Sequence, residues 1–467
     1  MGKTKANWLN PGTTAENEVL PGYFKWAWTS RGLSLALNVV LIMQLTYYCT
    51  DLVGMSPTLV GTLLLASKIF DGFTDLFVGF IIDKTHTKLG KARPYEIFIV
   101  FIWVLTVFLF SIPNLSTTGK AIYVFVLYAL INSVCATFLN GGDAVYLARS
   151  VRSEKNRVSV MSFNGAIIMI CSIVVSIILP QIIAGIGATK EGWTVISLIF
   201  AIPFALIGLG RFFFVKEVVN DDASEKEKNA NSNANKVSVG ESLKALGKNK
   251  YIFMLAGMTF IAQLIANLTA ATNYYFKYIF GDIGAASLIS MASIVTPLAL
   301  AFFPVLTRKF GTVNILRAGA VLGVVGYVIR MIGGTNMITL VLGSLLSGLG
   351  IIPVSMMISI YLIDCMDFGE WKTGVRVEGV MASVNSFTSK LGSGIASGLV
   401  GVIMGMAGYD GNLSVQPDSA ITAIKFLFNG LPLIGMAILL LLAILYNLDK
   451  FMPQVKADLE KKKEVNA

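Results

Sequence analysis

Val60-Gly-Thr-Leu-Leu-Leu-Ala-Ser-Lys68-Ile-Phe-Asp71-Gly-Phe-Thr74-Asp75-Leu-Phe-Val-Gly-Phe-Ile-Ile82 is long and apolar enough to cross a bilayer, yet it carries one ammonium and two carboxylates. A crossing helix needs about 20 apolar residues, and a charge near its centre costs about 2.5 to 3.5 kcal/mol on insertion scales. Three such charges are kept for a use. Their spacing of i, i+3 and i+7 puts Lys68, Asp71 and Asp75 on one helical face. Two carboxylates and an ammonium on one buried face predict a cation site, with Thr74 adding a further oxygen.

The rest of the chain is of the same kind. Over 467 residues it is 55% hydrophobic and 14% charged, with mean hydropathy +0.71, which excludes a soluble enzyme and predicts an all-α polytopic membrane protein. The apolar runs predict twelve crossings, the second at about residues 58–82, the third at 95–113, the sixth at 193–215 and the eighth at 285–306. Lys and Arg crowd into the N-terminus, the even-numbered loops and the C-terminus, whereas the odd-numbered loops contain only Lys120 and Lys190. The positive-inside rule therefore predicts cytoplasmic termini in the cell (inner) membrane. The net charge of +10 follows that topology and predicts no nucleic-acid partner. No cleavable signal peptide is expected, because the first apolar run is of full length. The four cysteines have no CxxC spacing and read as small apolar residues. His86 is the single histidine and reads as an ordinary loop residue, and no nucleophile and base pair or metal cluster suggests an enzyme.

A polar stretch over 216–250, rich in Asn, Lys and Glu, breaks the apolar pattern and cannot fold alone. It divides the chain into an N-terminal six-helix bundle (1–215), a central cytoplasmic loop (216–250) and a C-terminal six-helix bundle with a short tail (251–467). Two parallel repeats facing each other across a central cavity are expected from this arrangement. A charged, glycine-bearing turn follows the second run, Asp83-Lys84 and then Gly90-Lys91-Ala-Arg93-Pro94. It recurs in reduced form after the eighth as Arg308-Lys309-Phe-Gly311.

Other polar groups inside the apolar runs extend the candidate site. Ser386 and Lys390 stand i, i+4 in the eleventh run, where a lysine opposite the two aspartates could couple ion occupancy to closure of the halves. Asn140 and Asp143 stand i, i+3 around Gly141 and Gly142, with Tyr146 beyond. Carboxylates, amides and aromatic faces commonly hold sugars. Asp143 reads equally well as a salt-bridge partner at the helix end, because Arg149 follows it.

The most specific segment is Asp364-Cys-Met-Asp367-Phe368-Gly369-Glu370-Trp371-Lys372-Thr373-Gly374-Val-Arg376-Val-Glu378. Combined with Tyr47-Tyr48-Cys-Thr50-Asp51, the Lys68 to Asp75 run, Gly90-Lys91-Ala-Arg93-Pro94 and Lys390, it resembles the glycoside, pentoside and hexuronide cation symporters, the melibiose permease type within the major facilitator superfamily. The resemblance implies a twelve-helix major facilitator fold and uptake of a sugar or glycoside driven by sodium or proton flow, without a cofactor. It implies Asp71 and Asp75 as cation ligands, with Ser386 where the family has a hydroxyl near that site, and Lys390 near both ion and sugar. Asp364, Asp367, Glu370, Arg376 and Glu378 would form a cytoplasmic gate that pairs with basic loops of the other half, among them Arg93, Arg149 and Arg152, alongside Asp83. The chain departs from the family at the sugar site. It has no acid between Arg31 and Asp51, where Asn38 and Gln44 stand, and Asn164 lies where the fifth span would carry an arginine. Substrate contacts are thus expected from Asn38, Lys68, Asn140, Asp143, Tyr146, Asn164 and Lys390, in a monomer surrounded by membrane lipids. A sodium-dependent lysolipid transporter of the same fold, or a membrane solute sensor, is the alternative.

Overall fold

A computed structural model describes residues 14–85, 87–217, 244, 246–374 and 378–466. Helices make the whole framework, and no strand occurs among the described residues. Nine runs among them are long and apolar enough to cross a membrane. The other three crossings expected from sequence fall on helices that miss those criteria for visible reasons. Pro57–Lys84 carries the three charges, Phe98–Leu109 is short, and the eighth is split into Ala286–Ala292 and Val295–Phe310.

The helices are α1 (Phe24–Leu52), α2 (Pro57–Lys84), α3 (Phe98–Leu109), α4 (Thr117–Ser150), α5 (Glu154–Ile186), α6 (Lys190–Phe214), α7 (Lys250–Phe280), α8 (Ala286–Ala292), α9 (Val295–Phe310), α10 (Thr312–Gly333), α11 (Met337–Thr373), α12 (Glu378–Met406), α13 (Asp418–Lys425), α14 (Leu431–Leu445) and α15 (Met452–Asn466). Starts follow local chemistry. Ser56, Ser116 and Thr189 each accept a backbone N–H at an N-terminus, and Asn336 does so for α11. Contacts divide the chain into two compact units, one of Met1–Ser232, Asp282–Ser287 and Asp410–Ser414, the other of Asn233–Gly281, Leu288–Tyr409 and Val415–Ala467.

Among the described residues four π turns interrupt these helices: Tyr48–Leu52 at the end of α1, Leu130–Ala136 within α4, Phe276–Phe280 at the end of α7, and Phe426–Gly430 between α13 and α14. The first and third occupy matching places at the first helix of each unit. Such turns widen the helix and rotate the residues beyond them, and they recur at functional sites.

The first unit packs α1 on buried aromatics. Trp103 donates its indole N–H to Ser34, whose hydroxyl donates to the Phe204 carbonyl, and Trp193 stacks on Phe110 at 5.4 Å. In the second unit α10 and α11 approach backbone to backbone: a Cβ added at Gly350 would lie 2.6 Å from Gly323 Cα. Small residues of this kind let helices associate by close contact where lipid removes the hydrophobic driving force. Cys49, Cys135 and Cys365 are buried, Cys171 is half-buried, and all four are free thiols.

Candidate cation and substrate site

Asp71 is buried on the face of α2 that meets α4. Its Oδ1 accepts a hydrogen bond of 3.0 Å from the Thr137 hydroxyl, and its backbone carbonyl accepts one of 3.0 Å from Thr74. Thr137 reaches Asp71 through the π turn Leu130–Ala136. It sits just past the widened turn and also bonds the Asn132 carbonyl five residues back at 3.1 Å, while Ser133 bonds the Ser67 carbonyl on α2. Lys68 lies one turn before Asp71 with its Nζ 5.8 Å from the centre of the Tyr128 ring. Asp75 is half-buried on the same face. Asp71, Thr74 and Thr137 thus bring acid, hydroxyl and carbonyl oxygens together, the donor set a hard monovalent cation or a proton would use.

Asp143 has a different environment. Its Oδ1 meets the Arg31 guanidinium in a close ion pair and Arg211 Nη2 at 2.5 Å. Both arginines also face Glu96, at 3.6 and 3.5 Å. Arg31 Nη1 donates to Asn140 Oδ1 at 3.3 Å, and the Arg211 guanidinium lies 3.5 Å from the Trp28 ring centre. Two cations from α1 and α6 are therefore balanced by two acids from α4 and the turn before α3. Asp143 is thus in a salt bridge, but with Arg31 and Arg211 and not with Arg149, which faces Glu217 instead.

Two expected sugar contacts are spent inside the fold. Asn38 is buried and donates to Thr106 on α3 at 2.8 Å, and Tyr146 is fully buried with its hydroxyl donating to the carbonyls of Val215 and Arg211. Neither side chain offers a face to a solute here. Asn140 remains exposed, and Asn164 packs over Gly32 of α1.

The loop groups expected to gate also serve their own unit. Glu217, just past α6, accepts three consecutive backbone N–H groups, from Lys91, Ala92 and Arg93, at 2.6 to 2.9 Å, and pairs with Arg149 at 3.7 Å. Gly90, at φ +116°, makes this grip possible, since a Cβ there would collide with the carboxylate. Glu18 does the same for the backbone N–H groups of Arg152 and Ser153. Arg93 donates to the Phe212 carbonyl. In the second unit Asp364 pairs with Lys456 of α15 at 3.5 Å, and Trp371 donates to Asp458. Burial pushes the Asp364 carboxyl above its usual range, while Lys456 opposes the shift. Asp367 and Glu370 are half-buried on α11; Ser386 is exposed and Lys390 half-buried on α12. Asp83 and Glu378 lie on helices, but their side chains fall outside the described residues, as do Arg376 and His86 altogether.

The profile of the MFS/sugar transport protein family matches residues 33–450. The chain belongs to the glycoside, pentoside and hexuronide cation symporters of the major facilitator superfamily. It is 30% identical to the isoprimeverose transporter of Lactiplantibacillus pentosus over 97% of this chain and 94% of that one. It is 25% identical to the glucuronide carrier protein homolog of Escherichia coli (strain K12), over 92% and 93%. The crystal structure of a D-xylose-proton symporter, 13% identical, covers 89% of this chain and 96% of its own with a TM-score of 0.62. These relatives are transporters and not enzymes, and the chain shares the fold of the last of them.

Glu96, Arg211, Glu217 and Thr137 are absent from the residues singled out by sequence. Glu96 and Arg211 fall at the ends of the third and sixth predicted crossings, where a charge is ordinary, so the rule that flags Lys68, Asp71 and Asp75 near a span centre does not single them out. Glu217 and Thr137 carry no comparable signal.

Proposed function

We propose that the protein is a cation-coupled symporter that takes up a sugar or glycoside by alternating access, with Asp71, Asp75, Thr74 and Thr137 holding the cation. It would act as a monomer in the cell membrane with both termini cytoplasmic, and the two six-helix bundles would rock about the solute. The observation that carries the reading is the buried Asp71 carboxylate with its hydroxyl and carbonyl neighbours, in a family of cation symporters. Ordered oxygens around an acid favour loading and release of a small cation. Ser386 and Lys390 on α12 are the second unit's candidates in this reading, and Asn140 and Asn164 of the first offer amides to the solute.

The first unit's buried arginines are not expected to bind an acidic sugar. In the first unit the buried guanidiniums of Arg31, Arg211 and Arg149 each face a carboxylate, which leaves them no surplus charge for a uronate or sulfonate. A name among the relatives, isoprimeverose, suggests the first glycoside to try.

The test is uptake by purified protein in liposomes, with labelled isoprimeverose and a panel of neutral and acidic glycosides, under sodium and proton gradients imposed separately. Accumulation under one gradient, reduced at least about tenfold by Asp75→Asn while exchange persists, supports the assignment and names the ion. Full concentrative uptake by Asp75→Asn would overturn the ion site. Absence of accumulation with every sugar would move the reading to a lysolipid or to a solute sensor.

A further inference from the structure

The last turn of α10 contains a buried cation with a different set of neighbours from those of the first unit. Arg330 is 7% exposed. Its Nη2 donates to the Phe428 carbonyl at 3.1 Å, and its guanidinium lies 4.1 Å from the Phe428 ring centre and 5.0 Å from that of Tyr327. All of these groups are neutral. Among the described residues no carboxylate faces Arg330, and its Nε is buried without a hydrogen-bond partner. The carbonyl it reaches belongs to the π turn Phe426–Gly430. The next residue of that turn, Asn429, is also buried, and its Oδ1 has no partner.

Arginine stays protonated at any pH a protein meets. Aromatic faces and one carbonyl lower the cost of burying it but leave a full unit of charge uncompensated, and a buried donor without a partner adds to that cost. The Asn429 amide can turn to present its N–H₂ in place of its oxygen, since the two orientations are nearly isosteric. A charged N–H edge, a hydroxyl and an amide, walled by aromatic rings, are the donors that a small monovalent anion takes.

We propose that Arg330, with Tyr327 and Asn429, binds a halide, chloride under physiological conditions, which balances the buried guanidinium and ties the end of α10 to the π turn before α14. The site is separate from the transport residues and lies wholly within the second unit.

The experiment is thermal melting of the full chain in detergent, with sodium held constant and gluconate replaced stepwise by chloride or bromide at fixed ionic strength. Wild type should show a saturable rise of about 2 °C in either halide, and Arg330→Gln should abolish the dependence. Chloride-35 line broadening by wild type, reversed by bromide, should track the same half-saturation. Should Arg330→Gln fail to fold, Tyr327→Phe serves in its place and should raise the half-saturating chloride about threefold. Equal melting of wild type in all three anions would overturn the proposal. So would a halide effect that survives Arg330→Gln unchanged, or a half-saturation unmoved by Tyr327→Phe.

Discussion

The two units solve the problem of buried charge and helix contact in opposite ways. In the first, Arg31, Glu96, Asp143 and Arg211 come from four separate elements and balance only as a set. In the second, α10 and α11 meet through glycine backbones, and the buried Arg330 is answered by rings and a carbonyl. A charge quartet fixes elements in register because removing any member strands the others in low dielectric. A glycine seam fixes distance and tolerates sliding along the groove.

The comparison breaks most visibly at Glu96. Glu96→Gln leaves two buried guanidiniums with one acid and should cost about 3 to 5 kcal/mol, read as collapse of the melting temperature and loss of the monodisperse peak on size exclusion. Replacing the whole quartet with apolar residues of similar volume should recover most of that loss. A single substitution that melts like wild type would mean the quartet is ornamental to stability. The corresponding stroke in the second unit is smaller. Gly350→Ala drives a methyl into the Gly323 backbone and should cost about 1 to 3 kcal/mol, whereas Gly348→Ala, with nothing within 4 Å of the added carbon, should be silent. Equal effects at 348 and 350 would deny the seam its role.

The smallest expected effect is electrostatic and lies outside the helical cores. Because burial raises the Asp364 pKa in the folded state, its ionised form opposes folding above that pKa, and the penalty disappears as pH falls below the value for an unfolded chain. Asp364→Asn should therefore stabilise by about 0.5 kcal/mol near pH 8 and by nothing near pH 4. Destabilisation at pH 8 would show that the Lys456 pairing outweighs burial.

Much of this was legible in the residues. Hydrophobic run length and the one-faced placement of Lys68, Asp71 and Asp75 give the membrane class and the proposed ion site, since both depend on local periodicity. Glu96 and Arg211 were not singled out, because they stand at the ends of their crossings, where charges are ordinary. Nor was the pairing legible, because Arg31 and Asp143 stand 112 residues apart and partners at such distance are set by packing. The Asp143 geometry and the burial of Asn38 and Tyr146 were hidden for that reason. Thr137 was hidden for another: a π turn shifts the residues beyond it off the ordinary helical wheel, so a projection at 100° per residue misassigns their face. The gripping of loop N–H groups by Glu217 and Glu18 leaves no periodic trace at all.

The thiols carry a practical consequence. With Cys49, Cys135 and Cys365 enclosed and only Cys171 partly open, a Cys171→Ser background should be nearly silent to maleimide reagents under native conditions. Spin labels or fluorophores placed at chosen pairs would then report distances between the two bundles during a transport cycle without dismantling the native chain.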